Sequence, residues 1–270
     1  MRICIDIGGT KTLIAWLDEA GEIVTSIKFE TPKEYADLVL AVAKALEGKP
    51  KSDGTIVIGA PGKIDRHHGK VIGFGNLPWK NVPLQADLEA KLGSPVRIEN
   101  DANLAGLGEY YALNEHPHQC LYLTVSTGIG GGVVTDGRLD PEHLDSEPGE
   151  MLIEHNGQLV MFEKLASGSA IVRDYGKRAS DLNDPASWHE ICAILAHGII
   201  NILSMFKPNY IIIGGGVGTH FSKYKDILGE ELKKIKPPLV DIPRIVQASR
   251  PEEAVILGAW QLAKQLDGEA

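Results

Sequence analysis

The chain has 270 residues, enough for one large domain or two modest ones, and its 43% hydrophobic and 23% charged residues are an ordinary globular composition. A net charge of −9 speaks against a nucleic-acid backbone as the main partner. It does not oppose a nucleotide, because a few N–H groups and one Mg²⁺ can hold phosphates inside an acidic protein.

Strand-like Arg2 to Ile7 opens the chain, which in this reading leaves no room for a signal peptide. Gly8 and Gly9 break that strand and Thr12 to Leu17 resumes it. A second turn at Asp18 to Gly21 leads into strand Glu22 to Phe29, so a three-stranded meander is expected. Pro32 opens a helix to about Glu47, with Leu38, Val42, Ala45 and Leu46 at helical spacing. Thr55 to Ile58 reads as a short buried strand ended by Ala60-Pro-Gly62, followed by a hairpin around His67 and His68. Pro83 starts a helix, Pro95 to Ile98 is a strand, and Asn100–Asp101 opens a helix to about Tyr111.

The pattern then repeats. Gln119 to Thr124 is a strand, Gly128 to Gly132 a glycine-rich turn, and Gly131 to Thr135 a strand, which echoes Ile3 to Ile14. Two related halves are expected, split near Glu115 to His118. Ser187 to Phe206 is a long apolar helix, Asn209 to Ile213 a buried strand, and Gly214 to Gly216 a turn before a helix around Phe221 to Lys234. Pro243 to Gln247 is a last strand and Glu252 to Lys264 a closing helix. No apolar run is read as approaching the ~20 residues of a membrane span, so no membrane partner is expected. Cys4, Cys120 and Cys192 lie far apart, which suggests neither disulfides nor zinc and fits a reducing cytoplasm.

Three glycine turns carry the chemistry. Asp6-Ile-Gly-Gly-Thr-Lys-Thr12 joins two strands, which excludes a Walker A loop or a Rossmann turn, since both need a helix behind them. Gly8 and Gly9 would let backbone N–H groups approach phosphate, Thr10 and Thr12 add hydroxyls, Lys11 adds charge, and Asp6 could hold Mg²⁺ through water. Thr127, Gly128, Gly130 and Gly131 in the second turn follow the same logic. Glycine costs about 0.5–1 kcal/mol against alanine within an element, so close approach by a ligand accounts for the run better than a hairpin does. Gly214, Gly215 and Gly216 would floor an adenine or ribose. The plain alternatives are an ordinary hairpin turn and a tight strand-to-helix turn.

Taken together these segments resemble the actin, hexokinase and sugar-kinase superfamily. Asp6 to Thr12 is similar to its first phosphate motif, Thr124 to Gly132 to its second, and Ile212 to Val217 to its adenosine motif. Ala60-Pro-Gly62 and Ala254 to Ala259 are similar to its connecting segments. Gly75-Asn-Leu-Pro-Trp79 with Val96-Arg-Ile-Glu-Asn-Asp-Ala-Asn103 resembles the ROK (repressor, open reading frame, kinase) subgroup. The resemblance implies an α/β fold of two actin-like, ribonuclease H-like domains with an inter-domain cleft. These would be 1–115, completed by a C-terminal helix at about 252–266, and 116–250.

It also implies a sugar site. Asp101 would be the general base, Asn100 would hold neighbouring hydroxyls, and Gly62, Asn76, Glu147 and Glu163 would contact the sugar. Two departures stand out: Glu150 replaces the family's histidine, and the family's zinc cysteines are absent, so no structural zinc is expected. Glu150 reads equally as a sugar contact or a solvated loop charge. Asn100 or Asp101 could by itself be only a helix N-cap. His197, in the apolar helix, reads as a core or interface residue. The implied activity is transfer of the ATP γ-phosphoryl group to a hexose, first of all the 6-hydroxyl of glucose, with Mg²⁺ as cofactor. A homodimer is expected from the resemblance and from the apolar helix around Ile191 to Met205. The alternatives are a polyphosphate-dependent glucokinase, a kinase for N-acetylmannosamine, mannose or fructose, and a non-catalytic sugar sensor. Because the first phosphate motif begins at Asp6, neither a preceding DNA-binding domain nor a nucleic-acid partner is expected.

Overall fold

The computed structural model describes residues 1–75 and 77–269. Asn76, expected to touch sugar, lies outside the described residues. The chain divides into two compact units: Met1–Gly108 with Glu252–Ala270, and Glu109–Pro251. The division falls within a helix, ahead of the loop at Glu115 to His118 read from the sequence. The Glu109 carboxylate accepts from the Ser249 N–H and hydroxyl and from the Arg250 N–H, which ties it to the last segment of the second unit.

Unit 1 begins with strands β1 (Arg2–Ile7), β2 (Lys11–Leu17) and β3 (Ile23–Glu30), then helix α1 (Tyr35–Leu46) and strand β4 (Ile56–Ala60). A small sheet follows, β5 (Lys63–Asp65), β6 (Lys70–Phe74) and β7 (Leu77–Val82). Helix α2 (Leu84–Leu92), strand β8 (Val96–Asn100) and helix α3 (Asp101–Tyr111) come next. The main sheet runs β3-β2-β1-β4-β8. β1, β2 and β3 form the expected antiparallel meander, while β4 and β8 lie parallel to β1.

Unit 2 holds β9 (Gln119–Val125), β10 (Ile129–Thr135), β11 (Arg138–Leu139), and a hairpin of β12 (Leu152–His155) and β13 (Gln158–Met161). Helices α4 (Phe162–Ala166), α5 (Gly168–Tyr175) and α6 (Pro185–Met205) follow. Then come β14 (Tyr210–Gly214), the short α7 (Gly215–Gly218), α8 (Lys225–Ile235) and β15 (Arg244–Gln247). Its sheet runs β11-β10-β9-β14-β15. Directions match unit 1 strand for strand, with β10 antiparallel to β9 and β14 and β15 parallel to it. The repeat read from the sequence is thus a repeat of topology.

The chain returns to unit 1 through helix α9 (Ala254–Leu266). Side chains alternate across β1: Ile3, Ile5 and Ile7 join Leu38, Val42, Leu84 and Leu88 on one face. Cys4 joins Ala15, Val57, Leu104, Ala259 and Trp260 on the other. Both faces of β4 are therefore covered, which is why all five of its residues are buried.

Three expectations are corrected. Gly130, Gly131 and Gly132 belong to strand β10, not to a turn, which is confined to Ser126 to Gly128. A Cβ on Gly131 would lie 2.9 Å from Pro148 Cγ, so glycine there admits a neighbouring turn. α6 is long and apolar enough by length and composition to cross a bilayer. However, Ile191, Leu195, Ile199 and Leu203 are buried in the core of unit 2, so the apolar helix is no sign of a dimer surface. His197 is exposed on that helix, which excludes the core half of its reading.

α3 and α9 cross at Gly108 and Gly258, where a Cβ on Gly258 would overlap the Leu104 carbonyl and one on Gly108 the Ala254 carbonyl. Backbone cannot step aside as a flexible side chain can. Gly258→Ala should lower stability by about 1–3 kcal/mol, read as a reduced Tm in thermal unfolding. An unchanged Tm would show that the helices part freely.

Candidate active site

The parallel strands of unit 1 bring three sequence-distant segments together. β1 ends beside Asp6, β4 runs into Pro61–Gly62, and β8 runs into Asn100–Asp101 at the start of α3, with β1–β4 and β4–β8 in hydrogen-bonded register. Asn100 Oδ1 accepts from Ala102 N at 2.8 Å and Asn103 N at 3.2 Å, so Asn100 caps α3. Its Nδ2 donates to Gly62 O at 3.1 Å, which leaves one amide N–H for a ligand. Gly62 holds this turn at φ +92°, a conformation side-chain-bearing residues rarely adopt.

Asp101 Oδ1 accepts from Ala102 N at 2.8 Å, and no donor among the described residues reaches its Oδ2. Burial raises the Asp101 carboxyl above the usual carboxylate range, while its backbone hydrogen bonds pull the other way. The group is thus a stronger base than an ordinary aspartate. Burial likewise pushes Asp6 up to about 7, with the negative charge of Asp101 adding to the rise and Lys28 opposing it.

The first glycine turn is more self-contained than its sequence suggests. The Gly8 N–H donates to Lys11 O at 2.9 Å and so closes the turn. Thr31, which sequence reasoning passed over, clamps it: its N–H donates to Thr10 O and its hydroxyl to Gly8 O. Since the single Thr31 hydroxyl proton goes to Gly8, Thr12 is the donor across the 2.9 Å Thr12–Thr31 contact. Thr12 is fully buried, so it braces the turn and presents no hydroxyl to a phosphate. Gly9, Thr10 and Lys11 are exposed at the tip and free to meet one.

In unit 2 a cavity of about 670 Å³ opens between the Ser126–Gly128 turn, the start of α5 and the start of α7. Ser126, Thr127, Ser169, Arg178, Gly216 and His220 line it. The N-terminal end of α5 at Gly168 and Ser169 adds a partial positive charge suited to an anion. Of the third glycine triplet only Gly216 lines the cavity. A Cβ on Gly214 would overlap the Tyr122 ring. Gly215 sits at φ +77°, where a Cβ would lie 2.6 Å from Thr124 Oγ1. Ser169, Arg178 and His220 carry no motif signal, because they come from three separate segments that only folding brings together.

Glu163, half-buried on α4, has Oε2 2.6 Å from where a Gly128 Cβ would stand, so its carboxylate lies over the second turn. The 3₁₀ turn Pro148–Glu150 packs beside it, with a Cβ on Gly149 falling 3.3 Å from Glu163 Cβ. Glu147 precedes this turn and Glu150 ends it, and both are exposed.

The ROK family profile matches residues 2–266. The chain belongs to the ROK family. This ROK chain is 28% identical over 312 residues to a glucokinase of Streptomyces coelicolor, covering 99% of the chain and 98% of that protein. It is 32% identical over 317 residues to a glucokinase of Thermotoga maritima, covering 98% of each. It matches the crystal structure of a ROK family glucokinase from Streptomyces griseus in complex with glucose and AMPPNP. The TM-score there is 0.81 and the identity 27%, covering 98% of this chain and 99% of that one. The fold class of this ROK chain is α/β, with two actin-like units of the ribonuclease H-like kind.

The raised Asp6 carboxyl makes stability pH-dependent. Its folded value of about 7 lies above the unfolded 3.8, so its favourable contribution is complete at low pH and is lost as pH rises through 7. Asp6→Asn should therefore melt higher than the wild type at pH 8, with the gap closing towards pH 4 in scanning calorimetry. A gap independent of pH would refute the assignment. Separately, Gly128→Ala should displace Glu163 and cut turnover about tenfold or more, with the far-ultraviolet circular dichroism retained.

Proposed function

We propose that this chain transfers the γ-phosphoryl group of ATP to the 6-hydroxyl of glucose, with Asp101 as general base. The class of reaction, ATP-dependent sugar phosphotransfer, follows from family membership and from the glucokinase relatives. The observation that carries the assignment is Asp101 itself: a carboxylate raised by burial, fixed through one oxygen at the start of α3, with no donor to the other among the described residues. That free oxygen is available to accept the proton of an attacking hydroxyl. Proton transfer need not be advanced, because phosphoryl transfer is largely dissociative and positioning supplies most of the rate.

In this reading Asn100 and Gly62 hold neighbouring hydroxyls, and Glu147 and Glu163 are further sugar contacts. Glu150 stands where a histidine is expected; an ionised carboxylate accepts hydrogen bonds but donates none, so the hydroxyls it meets must act as donors. The nucleotide occupies the unit 2 cavity, where Thr127 would meet its phosphates and Gly216 would lie beneath its nucleoside, with Gly128 next in the same turn. Gly9, Thr10 and Lys11 are the exposed donors of unit 1 for the terminal phosphate.

Magnesium fits these residues. The negative charge of Asp101 raises the cost of ionising Asp6, and a divalent cation held by Asp6 through water would relieve that repulsion. When bound, the ion neutralises phosphate charge. A homodimer belongs to the proposal through the resemblance alone.

The test is ADP release with Mg-ATP across a panel of hexoses and N-acetylhexosamines, with polyphosphate replacing ATP in parallel and sugar phosphate read directly. Turnover on glucose that Asp101→Asn lowers by at least about 100-fold is the expected result. Turnover on another sugar alone would correct the acceptor, and product from polyphosphate alone the donor. Sugar binding by calorimetry with no product from either donor would replace the kinase by a sensor.

A further inference from the structure

Glu99, the residue before Asn100–Asp101, is only 2% exposed, and its carboxylate collects four hydrogen bonds. Arg66 donates Nε to Oε2 at 2.8 Å and Nη2 to Oε1 at 2.5 Å, the parallel fork that a guanidinium makes with a carboxylate. The Asn100 N–H donates to Oε1 at 2.7 Å and the Asn103 amide Nδ2 to the same oxygen at 3.0 Å. Two of the four donors thus belong to the residues on either side of Asp101 and Ala102. The other two come from the turn after β5, in the small sheet.

A buried ion pair is weak evidence of stability, since removing two charges from water costs about as much as their attraction returns. The arrangement fits a geometric role better. Arg66 fixes the rotamer of Glu99. Glu99 fixes the peptide N–H of Asn100 and the side chain of Asn103, and Asn100 in turn holds both Gly62 and the first turn of α3. Arg66 lies 33 residues from Glu99 in sequence, and the pair ties the small sheet to the β8–α3 junction. We propose that Arg66 and Glu99 are positioning residues, which set the orientation of Asn100 and Asp101 towards the sugar without touching it. The proposal rests on Asp101 as the base.

The experiment uses the full-length enzyme with Arg66→Lys, Glu99→Gln and the double variant, each compared with wild type and with Asp101→Asn. Tm, kcat and the KM values for sugar and for ATP are measured at a temperature where every variant is folded. Arg66→Lys keeps the charge and loses the fork. It should lower kcat/KM for sugar about 10- to 100-fold while KM for ATP changes less than about twofold. Glu99→Gln should do the same, and the double variant should be no worse than the poorer single, because the two residues act as one unit. Arg66→Lys indistinguishable from wild type would overturn the proposal, as would equal losses on sugar and ATP that follow the folded fraction. Should Glu99→Gln fail to fold, Arg66→Lys decides alone. A wild type with no turnover, or an Asp101→Asn variant with full turnover, would refute the kinase or base reading instead and is recognised before the variants are compared.

Discussion

The parallel pairing of β1, β4 and β8 is the constraint on which the chemistry of unit 1 depends. Residues Asp6, Gly62 and Asp101 are far apart in sequence. They meet because three strands in register end on one edge of the sheet. That edge is where parallel sheets offer ligands their loops and helix starts. Register also decides which side chains face which core: a slip of one residue in β1 would send Ile3, Ile5 and Ile7 to the face that holds Cys4. The two apolar layers therefore hold the acidic edge in place.

The edge itself is built against its own electrostatics. Asp6 and Asp101 are half-buried carboxylates, and the negative charge of Asp101 opposes the ionisation of Asp6. Nearby, Glu99 adds a third carboxylate, compensated by Arg66. The compensated acid is tied up in hydrogen bonds, whereas Asp101 keeps an oxygen that no donor among the described residues reaches. In the proposed reading, the structural and the chemical carboxylate differ in partner count.

Most of this fold was legible in the sequence, and the reason is local. The meander β1–β3, the buried β4, the helix opening at Asn100–Asp101 and the repeat of topology rest on period-two alternation, glycine breaks and capping residues, which act within a few residues. What escaped was set by contacts between distant segments. Thr31 gave no sign that it clamps the first glycine turn, and Thr12 read as a phosphate ligand because its hydroxyl partner lies 19 residues away. Gly131, Gly214 and Gly215 read as ligand-facing, though a strand, a tyrosine ring and a turn explain them. α6 read as a dimer surface because composition cannot tell a helix buried in its own core from one buried by a partner. Glu99 stood in plain view between Ile98 and Asn100, but without Arg66 beside it a buried glutamate has no sequence signature.

Unit 1 is discontinuous: its last helix, α9, is encoded after all of unit 2. While the chain emerges from the ribosome, the face formed by Cys4, Ala15, Leu17 and Val57 lacks the Ala259, Trp260 and Ala263 layer that covers it in the finished protein. Unit 2 is one continuous stretch and has no such wait. Synthesis thus imposes an order in which the second unit can reach its native state first, while the first stays partly open with an apolar sheet face uncovered. That interval is when this chain is most exposed to aggregation and most in need of a chaperone.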